Sequence, residues 1–112
     1  LSLHDALPIW QKQRISIARA LVRKPDVYIF DDSFSALDFK TDAKLRNSLK
    51  GETKDSIVII VAQRVSTIMN ADRIIVLDEG EIKGIGTHKD LLETSSVYKE
   101  IVLSQFSGEE IA

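Results

Sequence analysis

Four apolar residues, Val27-Tyr28-Ile29-Phe30, run straight into two adjacent carboxylates, Asp31-Asp32, and a short loop, Ser33-Phe34-Ser35-Ala36-Leu37-Asp38, follows. A buried strand ending in acids is how nucleotide-hydrolysing folds hold Mg²⁺ beside a phosphate. A carboxylate suits this hard cation, which uses few protein ligands and keeps several waters. The competing reading is a buried strand whose end is acidic only because Asp is a common turn residue. Two further segments at matching places weigh against it. Gln11-Lys12-Gln13-Arg14-Ile15-Ser16-Ile17-Ala18-Arg19-Ala20-Leu21 lies upstream, and Ile57-Val58-Ile59-Ile60-Val61-Ala62-Gln63-Arg64-Val65-Ser66-Thr67-Ile68 lies downstream.

The elements that must position these residues can be read from periodicity. Between Gln11 and Arg23, Ile15, Ala18 and Val22, with Ile17 and Leu21 beside them, predict a helix with one apolar face. Arg23 and Lys24 suit a helix C-terminus, and Pro25 disfavours helix at Lys24. Residues 27–31, 57–62 and 74–78 are short, nearly uninterrupted apolar runs. They predict strands buried on both faces of a parallel sheet covered by helices. Residues 39–50 supply a helix for the first crossover. Residues 63–73 are near the minimum length for a second crossover and predict a short helix over 66–70. Asp78-Glu79-Gly80 signals a turn, with 81–85 returning as an edge strand. Thr87 with Asp90 forms a capping box for a helix from His88 to Glu93. Ser95 and Ser96 cap a last helix reaching about Phe106, and a frayed acidic tail follows, from about residue 108 to 112.

The 112 residues allow one small domain with a modest core. With 44% hydrophobic and 29% charged residues, the composition is that of a soluble globular protein. A net charge of −2 gives no global pull toward nucleic acid or an anionic membrane. The absence of cysteine excludes disulfides and thiol-ligated metal, and suits a reducing compartment. No apolar run approaches the roughly 18 residues of a membrane-spanning helix.

Together the three segments resemble the ATP-binding domain of ABC transporters, in family order and over about residues 10–107. Residues 27–38 look like the Walker B strand and D-loop. The upstream segment looks like the end of the signature motif and its helix. The downstream segment looks like the strand and switch loop that face the ATP γ-phosphate. The resemblance implies an α/β class: a parallel sheet with flanking helices, the C-terminal part of a P-loop (RecA-like) nucleotide-binding domain. It implies ATP and Mg²⁺ as cofactors, with Asp31 as the Mg²⁺-associated acid and Ser35 and Asp38 in the D-loop. Gln11 is the only residue carried over from the signature motif.

Two positions depart from the family pattern. Asp32 stands where active sites have a glutamate that polarises the attacking water. It has the same charge on a side chain one methylene shorter, and a misplacement of about 1 Å can cost roughly 10²-fold in rate. Gln63 stands where the family usually has histidine at the γ-phosphate. Glutamine can donate a hydrogen bond but cannot carry a proton as imidazole can. Both changes in one site resemble the degenerate half of heterodimeric bacterial ABC exporters, and Ser33-Phe34 in place of the common Pro-Thr fits the same group. The implied partner is a second half-transporter subunit, each nucleotide lying between the Walker motifs of one subunit and the signature motif of the other. The implied location of the intact protein is the cytoplasmic face of the cell membrane, the fragment itself being soluble.

The chain contains no G-x-x-x-x-G-K-[ST] phosphate-binding loop, so it lacks the lysine and backbone cradle for the phosphates. It reads as the C-terminal part of a domain, inactive alone, with the transmembrane domain elsewhere. Val61 to Ile68 argues for exporters. An importer or soluble ABC ATPase, and a non-catalytic regulatory module, are the alternatives that the upstream coding sequence would separate. Family members carry a glycine pair just before the glutamine matching Gln11, where this chain has Ile9-Trp10. Glycine permits close approach of a helix N-terminus to phosphate, and Trp10 obstructs it. Residues 1–9 therefore read as foreign, for example translated cloning or sequencing-adapter sequence, with a divergent native N-terminus as the alternative. His4 has no partner in this context. His88 matches a Gly-Thr-His stretch that opens a surface helix. Gly80, Gly84 and Gly86 lack the spacing of a dinucleotide fingerprint. Lys12, Arg14 and Arg19 read as a solvated or interface face, not a nucleic-acid one.

Overall fold

A computed structural model describes residues 8–106. The chain divides into two compact units, one ending at Gln63 and one starting at Arg64. His4 and the acidic tail lie outside the described residues.

The first unit runs α1 (Ile9–Val22), β1 (Val27–Asp31), α2 (Phe39–Thr53) and β2 (Ile57–Val61). β1 and β2 pair in parallel, from Val27 opposite Ile57 to Asp31 opposite Val61, with α2 as the crossover. α1 starts on Pro8, whose carbonyl accepts from the N–H groups of Gln11 and Lys12. Its first turn thus includes Ile9, inside the segment read as foreign. It ends as expected before Pro25. Lys24 turns into the left-handed region (φ 46°) and its N–H donates to the Leu21 carbonyl, closing the last turn. α2 is capped by Asp38, whose carboxylate accepts from the Thr41 N–H. One turn in, Asp42 is fully buried and meets Arg46 Nε at 2.6 Å.

The core of this unit is one face of the strand pair. Tyr28 and Phe30 are buried with Ile17 of α1, Leu49 of α2, and Phe34 and Leu37 of the intervening loop. The rings of Tyr28 and Phe30 stack at 5.8 Å, and Phe34 tilts against Phe30 at 5.6 Å. Burial therefore alternates along β1, contrary to the expectation of strands buried on both faces. The parallel register sets Val27 opposite Ile57 and Ile29 opposite Ile59, and these four side chains and Val61 are exposed. The expectation for α1 also needs correcting. Ile17 is buried with Ala20 and Leu21 packed against the same core, whereas Ile15 and Val22 are exposed. Two apolar stripes run along this helix, and the one continuous with β1 is the one that folds inward.

The second unit runs α3 (Val65–Ile68), β3 (Ile74–Asp78), β4 (Glu81–Gly86), α4 (His88–Thr94) and α5 (Ser96–Gln105). β3 pairs antiparallel with β4. The turn and the returning strand expected after Asp78 are thus both present. Glu79 (φ 49°) and Gly80 (φ 77°) both take left-handed backbone, the geometry of a two-residue hairpin turn. That turn gives β3 a partner two residues away. The capping box is present as expected, with Thr87 and Asp90 each accepting from the other's backbone N–H. Ser95 caps α5 by accepting from Tyr98 N–H. Val65, Ile74, Val76, Leu91, Tyr98 and Val102 form the core of this unit. Gly84 is there because the helices come close: a Cβ would sit 2.8 Å from Leu91 Cδ2 and 3.2 Å from Ser95.

Candidate functional site

The end of the parallel strand pair gathers most of the residues singled out by sequence. Asp31 is the last residue of β1, opposite Val61, and its side chain is exposed. Asp32 follows in left-handed backbone (φ 53°). Aspartate enters that region more readily than longer residues because its short side chain can bond locally. The Asp32 N–H donates to the Val61 carbonyl at 2.8 Å, so the second acid is pinned to the end of β2. Gln63 lies two residues past that strand and is exposed. The two acids and Gln63 therefore leave the sheet at one edge, which is where open α/β sheets bind ligands.

The loop from Asp32 to Asp38 is anchored from below and from the side. Phe34 and Leu37 point into the core, and the Leu37 N–H donates to the Phe34 carbonyl. Ser35 is exposed, and its hydroxyl donates to the Asp32 carbonyl at 3.2 Å. Asp38 is exposed and held below its ordinary carboxyl pKa by the hydrogen bonds from Thr41. Its carboxylate thus has a helix-capping role alongside the nucleotide-facing one expected for it. Gln11 sits in the first turn of α1, half-buried.

Sequence reasoning missed Gln13. Its Nε2 donates to the Asp32 carbonyl at 3.3 Å and to Ser35 Oγ at 3.1 Å, and its Oε1 accepts from the Ala36 N–H at 3.0 Å. The signal was present: Gln13 is one turn before buried Ile17, and therefore on the inward stripe. Assigning the apolar face to Ile15, Ala18 and Val22 turned Gln13 outward on paper.

His88 lies in the second unit. Its Nδ1 is 2.7 Å from the Tyr98 hydroxyl, the two rings meet edge to face, and burial pushes the Tyr98 phenol pKa up. This is a structural pairing, as the surface-helix reading expected. Of the three cations read as a solvated or interface face, Arg14 and Arg19 are exposed and Lys12 is half-buried.

The donor set suits Mg²⁺. Asp31 and Asp32 are adjacent, exposed carboxylates at one sheet edge, and Mg²⁺ is typically held by one or two carboxylates plus phosphate oxygens. Among the described residues no group of three or more His, Cys, Asp or Glu side chains could form an all-protein metal cage. No described helix is long and apolar enough to cross a membrane.

The first unit thus holds a parallel βαβ unit whose first strand ends in paired acids, with Gln63 just past the second strand. No family model matches the chain. It is 50% identical over 95 residues to an uncharacterized ABC transporter ATP-binding protein of Mycobacterium tuberculosis, covering 85% of this chain and 16% of that protein. It is 48% identical over 98 residues to the ATP-dependent lipid A-core flippase of Haemophilus influenzae, covering 88% of this chain and 17% of that one. In structure it matches a bacterial Atm1-family ABC exporter with ATP bound, at a TM-score of 0.86 and 36% identity, over 91% of this chain and 18% of that chain. Sequence and fold together make the chain a segment of an exporter-type ABC transporter ATP-binding domain. It spans about one sixth of the length of the relatives it matches.

Proposed function

We propose that this chain is the part of an ABC exporter that carries the Walker B acid, the D-loop and the switch loop, and that its own catalytic site is degenerate. The intact protein would be a membrane exporter with its ATP-binding domain on the cytoplasmic face, coupling ATP binding and hydrolysis to export. The single observation that carries this reading is the joining of Asp31 and Asp32 to the end of β2 through the 2.8 Å bond from Asp32 N–H to Val61. The exposed apolar face of Val27, Ile29, Ile57, Ile59 and Val61 supports it too, since such a patch marks a surface that other protein covers.

In this reading Asp31 would hold Mg²⁺, which when bound would supply charge neutralisation for phosphoryl transfer. Asp32 orients the attacking water and accepts its proton. Its short side chain falls back from the position a glutamate would reach. Gln63 donates a hydrogen bond toward the γ-phosphate but holds no transferable proton. The site therefore binds ATP and turns it over slowly. Such a half requires a second half-transporter with a competent site, and we take the working assembly to be a heterodimer. We also take residues 1–9 to be foreign, so that resequencing the source DNA returns Gly-Gly or a close equivalent before Gln11. Recovery of Leu1 to Trp10 in frame from independent genomic DNA would refute that.

The test is Mg·ATP titration of the intact protein with the partner's site disabled, alongside single-turnover hydrolysis. Binding with slow turnover is expected. Fast turnover, or no binding, would overturn the proposal.

A further inference from the structure

Gln13 of α1 bonds to the acid loop at several points. Its carboxamide donates to the Asp32 carbonyl at 3.3 Å and to Ser35 Oγ at 3.1 Å, and accepts from the Ala36 N–H at 3.0 Å. The Ser35 hydroxyl closes the ring by donating to the Asp32 carbonyl at 3.2 Å. Asp32 is thus held on both sides of its Cα, through its N–H by Val61 and through its carbonyl by Gln13 and Ser35. It needs to be, because φ of 53° is a conformation that a non-glycine residue keeps only when its surroundings enforce it. Only an amide end group offers donors and an acceptor together at that reach: a carboxylate keeps the acceptor and loses both donors, and an ammonium or guanidinium has no acceptor.

We infer that Gln13 is a positioning residue for the catalytic acid: it fixes the backbone of residues 32–36, and so the direction in which the Asp32 carboxylate points, from the helix that also carries Gln11. This rests on the exporter reading of the site. It adds a mechanical link, since any displacement of α1 along its axis is handed to the acid loop through three hydrogen bonds.

Two isosteric substitutions separate the roles of the amide. Gln13→Glu keeps the acceptor for Ala36 N–H and loses the donors. Gln13→Met loses both. On the 112-residue chain, amide exchange at Ala36 should be near wild type in Gln13→Glu and at least about tenfold faster in Gln13→Met, because the bond that protects it is gone only in the latter. In the intact protein with the partner's site disabled, single-turnover hydrolysis should fall about 10- to 100-fold in both variants, with Mg·ATP affinity within about twofold of wild type. Lys12→Met, one position away, should change neither. Unchanged Ala36 exchange in Gln13→Met, or unchanged turnover in both variants, would overturn the inference. Parallel loss of ATP affinity and turnover would also overturn it, by reducing Gln13 to general support. If the wild-type intact protein fails to bind ATP, the exporter reading falls, and Ala36 exchange still decides whether Gln13 holds the loop.

Discussion

Phe34 should be the anchor of the acid loop, and Phe34→Ala tests this. The side chain is 2% exposed and tilts against Phe30 at 5.6 Å, in a loop whose next residue, Ser35, faces solvent. A buried aromatic removes about 150–250 Å² from water. At about 25 cal/mol per Å² that is worth ~4–6 kcal/mol. This is a ceiling, because the unfolded chain already buries part of that area and alanine keeps the Cβ. Phe→Ala changes in cores cost about 3–5 kcal/mol, and a loop can partly collapse into the gap, so about 3 kcal/mol is expected. Urea unfolding of the chain, followed by circular dichroism, reads the loss. With an m-value of about 1 kcal/mol/M, the midpoint should fall by about 3 M, which shortens the folded baseline. Phe34→Leu, at about 1 kcal/mol, then carries the measurement. A cost below about 1 kcal/mol for the alanine variant would mean that the loop does not depend on the core, and the account of how Asp32 is held would fail.

Gly84→Ala should destabilise the second unit by about 1–3 kcal/mol, because the new Cβ meets fully buried Leu91, and thermal unfolding should show it. Arg46→Ala should cost about 3 kcal/mol by removing the guanidinium from buried Asp42; a loss below about 1 kcal/mol would contradict that pairing. Asp90 is held below its ordinary carboxyl pKa by Thr87, so its stabilising contribution is present above the unfolded value, near pH 4, and disappears as pH falls through the lower folded value. The stability gap between wild type and Asp90→Asn should therefore close on acidification, and a gap that widens would reverse the sign.

The local elements were legible where one side chain or one turn decides them. Pro25 ends α1, Thr87 and Asp90 box α4, and Ser95 caps α5, each through chemistry confined to a few neighbouring residues. The candidate acids were legible for the same reason, since a carboxylate directly after an apolar strand can be read along the chain. What could not be read depends on pairing across the chain. The hairpin of β3 and β4 was legible because its turn is local, whereas the exposed apolar face of β1 and β2 was not. The inward face of α1 depends on which stripe meets Tyr28 and Phe30, and Gln13 was lost with that choice. The buried Asp42 was equally silent, because a charged residue on a helix is normally read as solvated, and its pairing with Arg46 lies across a turn of that helix.

The central claim is that Asp32 and Gln63 together make this a slow site in an ABC exporter. Single-turnover ATP hydrolysis at this site, in the intact protein with the partner's site disabled, tests it most directly. Wild type, Asp32→Glu, Gln63→His and the double variant are compared. Asp32→Glu should recover turnover only in part, since Gln63 still lacks imidazole chemistry and glutamate is less at ease than aspartate in the φ 53° backbone. The double variant should exceed both single variants, by roughly 10²-fold over wild type. Wild-type turnover equal to that of the double variant would contradict the claim, and full recovery from Asp32→Glu alone would remove Gln63 from it.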